Sequence, residues 1–147
     1  MLVDREKIRG LLRERGLRPT PARVKILALL NDEKKHLSTE EVIEALRSRE
    51  EKASAATVYQ NLSKLADYGL LLRITGADGV IRYDSNPSPH HHLICVQCGR
   101  IEDVELEKKG LPKLRPLSSA RRSSLAGWQF DDLQVEFKSL CPRCRKK

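Results

Sequence analysis

Two Cys-x-x-Cys units, Cys95-Val-Gln-Cys98 and Cys141-Pro-Arg-Cys144, constrain this chain more than any other feature. Each pair is short enough for both sulfurs to reach one tetrahedral ion, and together they complete a four-sulfur shell of the kind that holds structural Zn(II). Gly99, directly after the first pair, suits the tight backbone of a knuckle. Because Cys98 and Cys141 are far apart in the chain, such an ion would tie together the two ends of a small domain. A dithiol redox centre would need one pair beside a βαβ unit, and a cysteine nucleophile would need a lone thiol with a partnered base. Two matching pairs fit neither well, so Cys95, Cys98, Cys141 and Cys144 are read as a structural zinc site.

A metal staple also suits the length. The 147 residues, 39% of them hydrophobic, make one modest domain or two small ones, and small domains bury too little surface to be stable without a metal or a partner. The N-terminal MLVDREKIRG has no apolar run of signal-peptide length. No stretch approaches the roughly 20 apolar residues that span a bilayer. The expected location is the cytoplasm, with no membrane partner. Thiols there are kept reduced, which again favours metal ligation over disulfides.

The 28 Lys and Arg against 20 Asp and Glu leave a net charge of +8. That excess favours a polyanionic partner, nucleic acid first, although a basic surface can also serve solubility alone. The motifs have to decide between them.

Residues 1 to about 70 carry apolar positions every three or four residues, the period of helices. Ile8, Leu11 and Leu12 mark the first. The second starts at Thr20-Pro21, an N-cap followed by proline, and turns Val24, Leu27 and Ala28 or Leu30 inward before Asn31 stops it. The third opens on a capping box of Ser38 and Glu41 and buries Val42, Ile43 and Leu46. The fourth runs from Ser54 to Gly69, a residue suited to a helix end. The pattern then changes to two β-rich runs, Leu70 to Thr75 and Val80 to Asp84, around Gly-Ala-Asp-Gly. Helices followed at once by a hairpin outline a winged helix-turn-helix, with the hairpin as the wing.

Ser85-Asn86-Pro87-Ser88-Pro89 has neither helical nor strand character and marks a boundary. Beyond it, His92 to Val96, Arg100 to Val104 and Phe130 to Leu140 read as strands, and Ser118 to Ala126 as a short helix that Pro112 and Pro116 keep from starting earlier. The expected fold class is therefore α+β. A winged-helix unit over 1–84, a hinge over 85–89 and a small α/β unit with the four-cysteine zinc site over 90–147 are its expected parts.

On the fourth helix Val58, Leu62 and Leu65 share one face, while Ala56, Tyr59, Gln60 and Ser63 lie broadly opposite. A glutamine can bond bidentately to adenine and an aromatic ring can pack on a thymine methyl in the major groove. Lys64, Arg73 and Arg82 could position phosphates around them, and Arg18, Ser54 and Thr57 complete the expected DNA-facing set. The competing reading of the same face is an ordinary solvated helix surface.

All four histidines fall at two places, His36 and the run His90-His91-His92. On a strand, residues i and i+2 share a face, so His90 and His92 can reach one ion while His91 points away. Asp84 and Asp103 flank the run, expected on neighbouring strands. Three imidazoles and two carboxylates make a mixed N/O site suited to Fe(II), Mn(II) or Zn(II); a solvated polyhistidine turn is the alternative. A zinc enzyme is a further class. It would need an open coordination position and a general base, and no His-Glu-x-x-His pattern is present.

Taken together, Gly16-Leu-Arg-Pro-Thr-Pro-Ala-Arg-Val-Lys-Ile-Leu, His36-Leu-Ser-Thr-Glu-Glu, Ala56-Thr-Val-Tyr-Gln-Asn-Leu-Ser-Lys-Leu, His90-His-His-Leu-Ile-Cys-Val-Gln-Cys-Gly99 and the terminal Cys141-Pro-Arg-Cys144 resemble the ferric uptake regulator superfamily of bacterial metal-responsive repressors, nearly end to end. The resemblance implies a homodimer on double-stranded operator DNA, in which the 90–147 unit is the dimerisation domain and metal binding closes the hinge. It implies His36, Asp84, His90, His92 and Asp103 as the regulatory ligands, for Fe(II) or Mn(II) in the cell and with Zn(II) able to bind in vitro. It implies no enzymatic activity.

Aspartate at both carboxylate positions looks most like the peroxide-sensing branch, in which Fe(II) reacts with peroxide and a ligand histidine gains oxygen; His36 and His90 are the candidate targets. An iron-responsive repressor is the alternative reading, with a zinc-responsive one behind it. Gln60 stands where iron-sensing members commonly carry arginine, so operator preference is expected to differ. The family often adds a metal site through histidines in the last strand. Gly127-Trp-Gln-Phe-Asp-Asp-Leu-Gln-Val-Glu has none, and that site is expected to be absent. The segment Glu105 to Ala126 is longer and richer in proline than the family's dimerisation helix.

Overall fold

In the computed structural model, residues 4–33, 36–106, 127–129 and 133–146 are described. Four helices and a three-stranded sheet come first, then a second three-stranded sheet that ends in one helical turn. The architecture is α+β, a winged helix followed by a small sheet that carries the four cysteines.

Helix α1 (Arg5–Glu14) starts on Asp4, whose carboxylate accepts the Glu6 N–H at 2.9 Å. Such a cap satisfies one of the free amides of the first turn. Ile8 and Leu12, one turn apart, are buried, but Leu11 is 38% exposed because it flanks that narrow stripe instead of sharing it. Helix α2 (Pro21–Glu33) passes through Asn31, where the local signal predicts a stop. It buries Val24 and all of Ile26 to Leu30, and it packs against α1, α3 and α4. A helix enclosed on nearly every side gains more from packing than one asparagine costs.

Helix α3 (Thr39–Ser48) has the expected capping box: the Glu41 N–H donates to Ser38 Oγ at 3.2 Å and the Ser38 N–H to Glu41 Oε2 at 2.7 Å. Val42 and Leu46 are buried, with Ile43 half-buried. Helix α4 (Ala55–Asp67) is capped by Ser54. Its Val58, Leu62 and Leu65 are completely buried, each contributing about 1.5–3 kcal/mol of burial. Gly69, at φ 69°, takes the left-handed turn that leads out of the helix.

The wing is β2 (Leu72–Thr75) paired antiparallel with β3 (Ile81–Asp84). A strand the sequence pattern does not reveal, β1 (Leu37–Ser38), adds to the other edge of β3, with Leu37 opposite Tyr83. It is two residues long, too short to show a period of two.

In the second sheet β4 (His91–Cys95) lies between β5 (Ile101–Val104), antiparallel to it, and β6 (Glu136–Ser139), parallel to it. The expected long strand from Phe130 shortens to β6: residues 133–135 are not strand, and 130–132 lie outside the described residues. The expected helix at Ser118 to Ala126 also lies outside them. Helix α5 (Pro142–Arg145), with Pro142 at its first position, carries Cys144.

Candidate metal centre

The four cysteine sulfurs lie within 4.8 Å of one another. Cys95 ends β4, Cys98 lies in the turn to β5, Cys141 precedes α5 and Cys144 is inside it. Cys98 Sγ and Cys141 Sγ are 3.7 Å apart. A tetrahedral ion with sulfurs at about 2.3 Å sets them about 3.8 Å apart, and the pair is far too wide for a disulfide. Gly99, at φ 74°, turns the knuckle so that its N–H donates to the Cys95 carbonyl at 2.9 Å.

The cluster shares its protons unevenly. The backbone N–H of Cys141, 3.3 Å from Cys95 Sγ, and then that of Cys98 bring the Cys95 thiol down to about 6. The backbone of Cys144 lowers Cys141. Burial, followed by the neighbouring sulfurs, pushes Cys144 up to about 12. Four thiolates so close repel one another, and only a bound cation makes all four stable together.

A second cluster joins the two sheets. His36, Asp84, His92 and Asp103 each offer an atom within 4.8 Å of the others. His36 Nε2 is 2.8 Å from Asp103 Oδ1 and 3.6 Å from Asp84 Oδ2. His92 Nε2 is 3.5 Å from each of the same two oxygens. His90 Nε2 adjoins them, 2.8 Å from Asp84 Oδ2 and 3.4 Å from Asp103 Oδ1. Ligand atoms about 2.1 Å from one ion are about 3.0 Å apart at octahedral angles and about 3.4 Å at tetrahedral ones. These spacings fall in or near that range.

Local structure explains the convergence. His92 stands directly opposite Asp103 in the β4–β5 register. Asp84 ends β3 of the wing sheet, on the strand that the run Val80 to Asp84 predicts, and His36 leads into β1 of that same sheet. His90 precedes β4 but projects to the same side as His92, whereas His91 turns to the residue before β6, its Nδ1 accepting the Val135 N–H at 3.2 Å. The alternation expected of a strand therefore extends one residue beyond it.

His92 and His90 are buried, at 0% and 6% exposure. His90 Nε2 is buried and, although 2.8 Å from Asp84 Oδ2, is not aligned for a hydrogen bond to it. An orphaned, buried imidazole nitrogen facing two carboxylates fits a cation better than it fits an empty interior. Burial opposes protonation of His36, but the hydrogen bond and charge of Asp84, then of Asp103, outweigh it and raise its pKa above the ordinary histidine value. Burial works against the Asp84 carboxylate too, and is outweighed by hydrogen bonds from His36, His92 and the Asn86 amide, which hold it far below the carboxylate range. The donor set of three imidazoles and two carboxylates suits a borderline divalent ion.

On α4, Tyr59 is 64% exposed, and Gln60 and Lys64 are exposed beside it. Ser54 and Thr57 are engaged in the helix cap, with Ser54 Oγ donating to Thr57 Oγ1 at 2.8 Å and accepting the Thr57 N–H at 3.1 Å. Ser63 Oγ accepts from Arg73 at 3.0 Å, and Arg73 also pairs with Asp67 at 2.7 Å. Arg82 forms a two-pronged pair with Asp78 at 2.8 and 2.7 Å. Both arginines expected at phosphates are thus tied within the wing and its approach. Arg18 is exposed at the approach to α2.

Sequence reasoning passed over Arg23, which lines a groove of about 740 Å³ together with Lys25, Lys52, Gln60, Asn61 and Lys64. Arg23 donates to Asn61 Oδ1 at 3.1 Å and to the Arg18 carbonyl at 2.7 Å. The only sequence signal is its place one turn into α2, on the side facing α4.

A sequence model described as the ferric uptake regulator family matches residues 14–119. The peroxide operon regulator of Bacillus subtilis is 32% identical over 136 residues, covering 92% of this chain and 90% of that protein. The ferric uptake regulator of Pseudomonas aeruginosa, solved with manganese, superposes with a TM-score of 0.69 at 26% identity, covering 92% of this chain and 98% of that one. The Campylobacter jejuni peroxide stress regulator superposes at 0.51 with 27% identity, covering 68% of this chain and 70% of that one. Among the described residues, no helix is long and apolar enough to cross a membrane.

Proposed function

Because the chain belongs to the ferric uptake regulator family, we propose that it is a metal-dependent, DNA-binding transcriptional repressor that takes Fe(II) or Mn(II) at a regulatory site and senses peroxide through the Fe(II) form. In this reading Cys95, Cys98, Cys141 and Cys144 hold structural Zn(II), and His36, Asp84, His90, His92 and Asp103 hold the regulatory ion. Residues 1–84 bind operator DNA, 85–89 are the hinge, and 90–147 form the dimerisation and metal-binding unit of a cytoplasmic homodimer that is not an enzyme.

The observation that carries this reading is the meeting of five ligand atoms contributed from both sides of the 85–89 segment. His36 and Asp84 meet His90, His92 and Asp103 only when the two sheets are arranged as here. Coordination by all five therefore favours this arrangement by the difference in affinity between it and the open ones. In a dimer that fixes the angle between the two α4 helices, and so their fit to successive turns of the major groove. Bound Fe(II) would supply reactivity toward peroxide, with His36 and His90 as the side chains that gain oxygen. Their loss as ligands releases the hinge.

The test is operator affinity measured without regulatory metal and with Fe(II), Mn(II) or Zn(II), before and after peroxide, with mass spectrometry of the peptides holding His36 and His90. Tight binding with Fe(II) or Mn(II), abolished by peroxide only for the iron form and accompanied by oxygen on a histidine, is the expected result. Similarity to ferric uptake regulators supports a second reading as an iron sensor. Iron-dependent binding with no oxygen gained would favour it.

A further inference from the structure

Between Asp84 and His90 the chain has the composition of a free linker, yet a ladder of hydrogen bonds runs through it. The Asn86 N–H donates to Asp84 Oδ1 at 2.8 Å. The Ser88 N–H donates to Asn86 Oδ1 at 3.2 Å. His90 Nδ1 donates to the Ser88 carbonyl at 2.7 Å. Each step spans two residues, and the ladder begins on one metal-ligand candidate and ends on another. Ser85 fastens its start to the fold, with Oγ donating to the Leu30 carbonyl of α2 at 3.3 Å.

The chemistry of each rung bears on the metal site. Asp84 divides its two oxygens: Oδ1 is taken by the hinge, and Oδ2 faces the three histidines. A carbonyl can only accept, so the bond to Ser88 places the His90 proton on Nδ1 and leaves Nε2 with its lone pair toward the site. Pro87 and Pro89 fix their own φ and hold Asn86 and Ser88 extended. They also remove two amide donors, so the Asn86 and Ser88 N–H groups engaged in the ladder are half of those that residues 85, 86, 88 and 90 supply. The one side chain within the ladder that is neither a proline nor a metal-ligand candidate is the Asn86 carboxamide.

We propose that Asn86 is a positioning residue for the regulatory site: by joining the turn at Asp84 to the turn at Ser88, it sets the direction from which His90 meets the ion. The inference rests on the metal-site reading above and adds a residue that would touch no metal. The hinge is then a pre-formed link, and part of the entropy of bringing His90 to Asp84 is already lost in the chain before the ion arrives.

The experiment is an Mn(II) titration of the zinc-loaded full-length protein, followed by electron paramagnetic resonance of the free ion. Asn86→Ala should weaken Mn(II) about tenfold, the lower end of the range for removing a support behind a metal ligand. Its zinc content should stay at the wild-type value. Asn86→Ser, a neutral residue whose hydroxyl can accept the same N–H more weakly, should recover part of the loss. Ser88→Pro deletes the same bond from the donor side, serves if Asn86→Ala does not fold, and in the double variant should add little to Asn86→Ala. Wild-type affinity in both single variants, or fully additive losses, would overturn the inference. Failure of the wild-type protein to bind Mn(II) would instead count against the metal-site reading itself.

Discussion

His36 Nε2 lies 2.8 Å from Asp103 Oδ1, across 67 positions of sequence. His36 enters the winged-helix sheet and Asp103 lies on β5 of the second sheet. The pair therefore reports whether the two sheets are together.

His36→Ala removes one ligand and this bridge while leaving β1, the capping box and the four-cysteine cluster intact. Mn(II) affinity should fall by at least about tenfold, and the metal-induced gain in operator affinity should largely disappear. Zinc content should stay at the wild-type value. Unchanged Mn(II) affinity in calorimetry would remove His36 from the site.

The four-cysteine knuckle and the proposed regulatory site share β4, which holds His92 near its start and Cys95 at its end. The knuckle is also the turn between β4 and β5, closed by the Cys95 N–H donating to the Arg100 carbonyl at 2.8 Å. Removing zinc with a strong chelator should therefore disorder this turn, slip the pairing of His92 with Asp103 and abolish Mn(II) binding, whereas removing Mn(II) should leave zinc in place. Circular dichroism and metal analysis check the asymmetry. Full Mn(II) affinity in zinc-free protein would break the proposed link. As Cys144 is pushed up to about 12 and Cys95 down to about 6 without a cation, zinc uptake at neutral pH should release protons, measurable by buffer-dependent calorimetry.

These two sites differ in how openly the sequence displays them. Each cysteine pair is local, and two copies of one spacing suffice to propose a four-sulfur shell. The histidines and aspartates are scattered, so the residue types alone leave a solvated polyhistidine turn open beside the one-ion reading until the family resemblance favours the ion. The strand pattern puts Asp84 at the end of the wing but does not show that the wing sheet meets His92 of the second sheet there. The capping box at Ser38 and Glu41 was legible because both partners sit within one turn. The end of α2 was not, since Asn31 acts locally while the enclosure of α2 depends on three other helices. Asn86 and Ser88 went unread for a related reason: side-chain-to-backbone bonds leave no periodicity, and Asn-Pro-Ser-Pro has the composition of a loop.

Acidity should act in opposite directions on the metal-free and metal-loaded forms. Without regulatory metal, His36 has a raised pKa, so its charged form stabilises the fold. That contribution is complete below the unfolded value of about 6.5 and is lost as pH rises through the raised one. Asp84, whose pKa is lowered, contributes above its unfolded value of about 3.9, and this is lost only as pH falls through the depressed one. The melting temperature of zinc-loaded, Mn(II)-free protein should therefore decline from pH 6 to 9 more steeply than that of His36→Ala. Mn(II) affinity should rise over the same interval, because the proton and the ion compete for the same nitrogen. Parallel melting curves for the two proteins would count against the charged pairing of His36.

Contacts to DNA separate into those that read bases and those that hold phosphates, and the surface of α4 offers both. Tyr59 and Gln60 are exposed on the helix face away from Val58, Leu62 and Leu65. Gln60→Ala should cost about 1–3 kcal/mol on the operator and almost nothing on unrelated DNA, if its amide reads a base. Lys64→Ala should weaken both about equally and lower the salt slope by about 1. Arg23 is held by Asn61 and the Arg18 carbonyl in the groove beside Gln60 and Lys64. Its loss should resemble that of Lys64, because a fixed guanidinium meets a phosphate with little further ordering. Arg73 is already paired with Asp67 and Ser63, so Arg73→Ala should change the slope less than Arg23→Ala. Fluorescence anisotropy over a range of salt concentrations distinguishes these cases, and a larger slope change for Arg73 than for Arg23 would reverse the assignment of the phosphate-binding face.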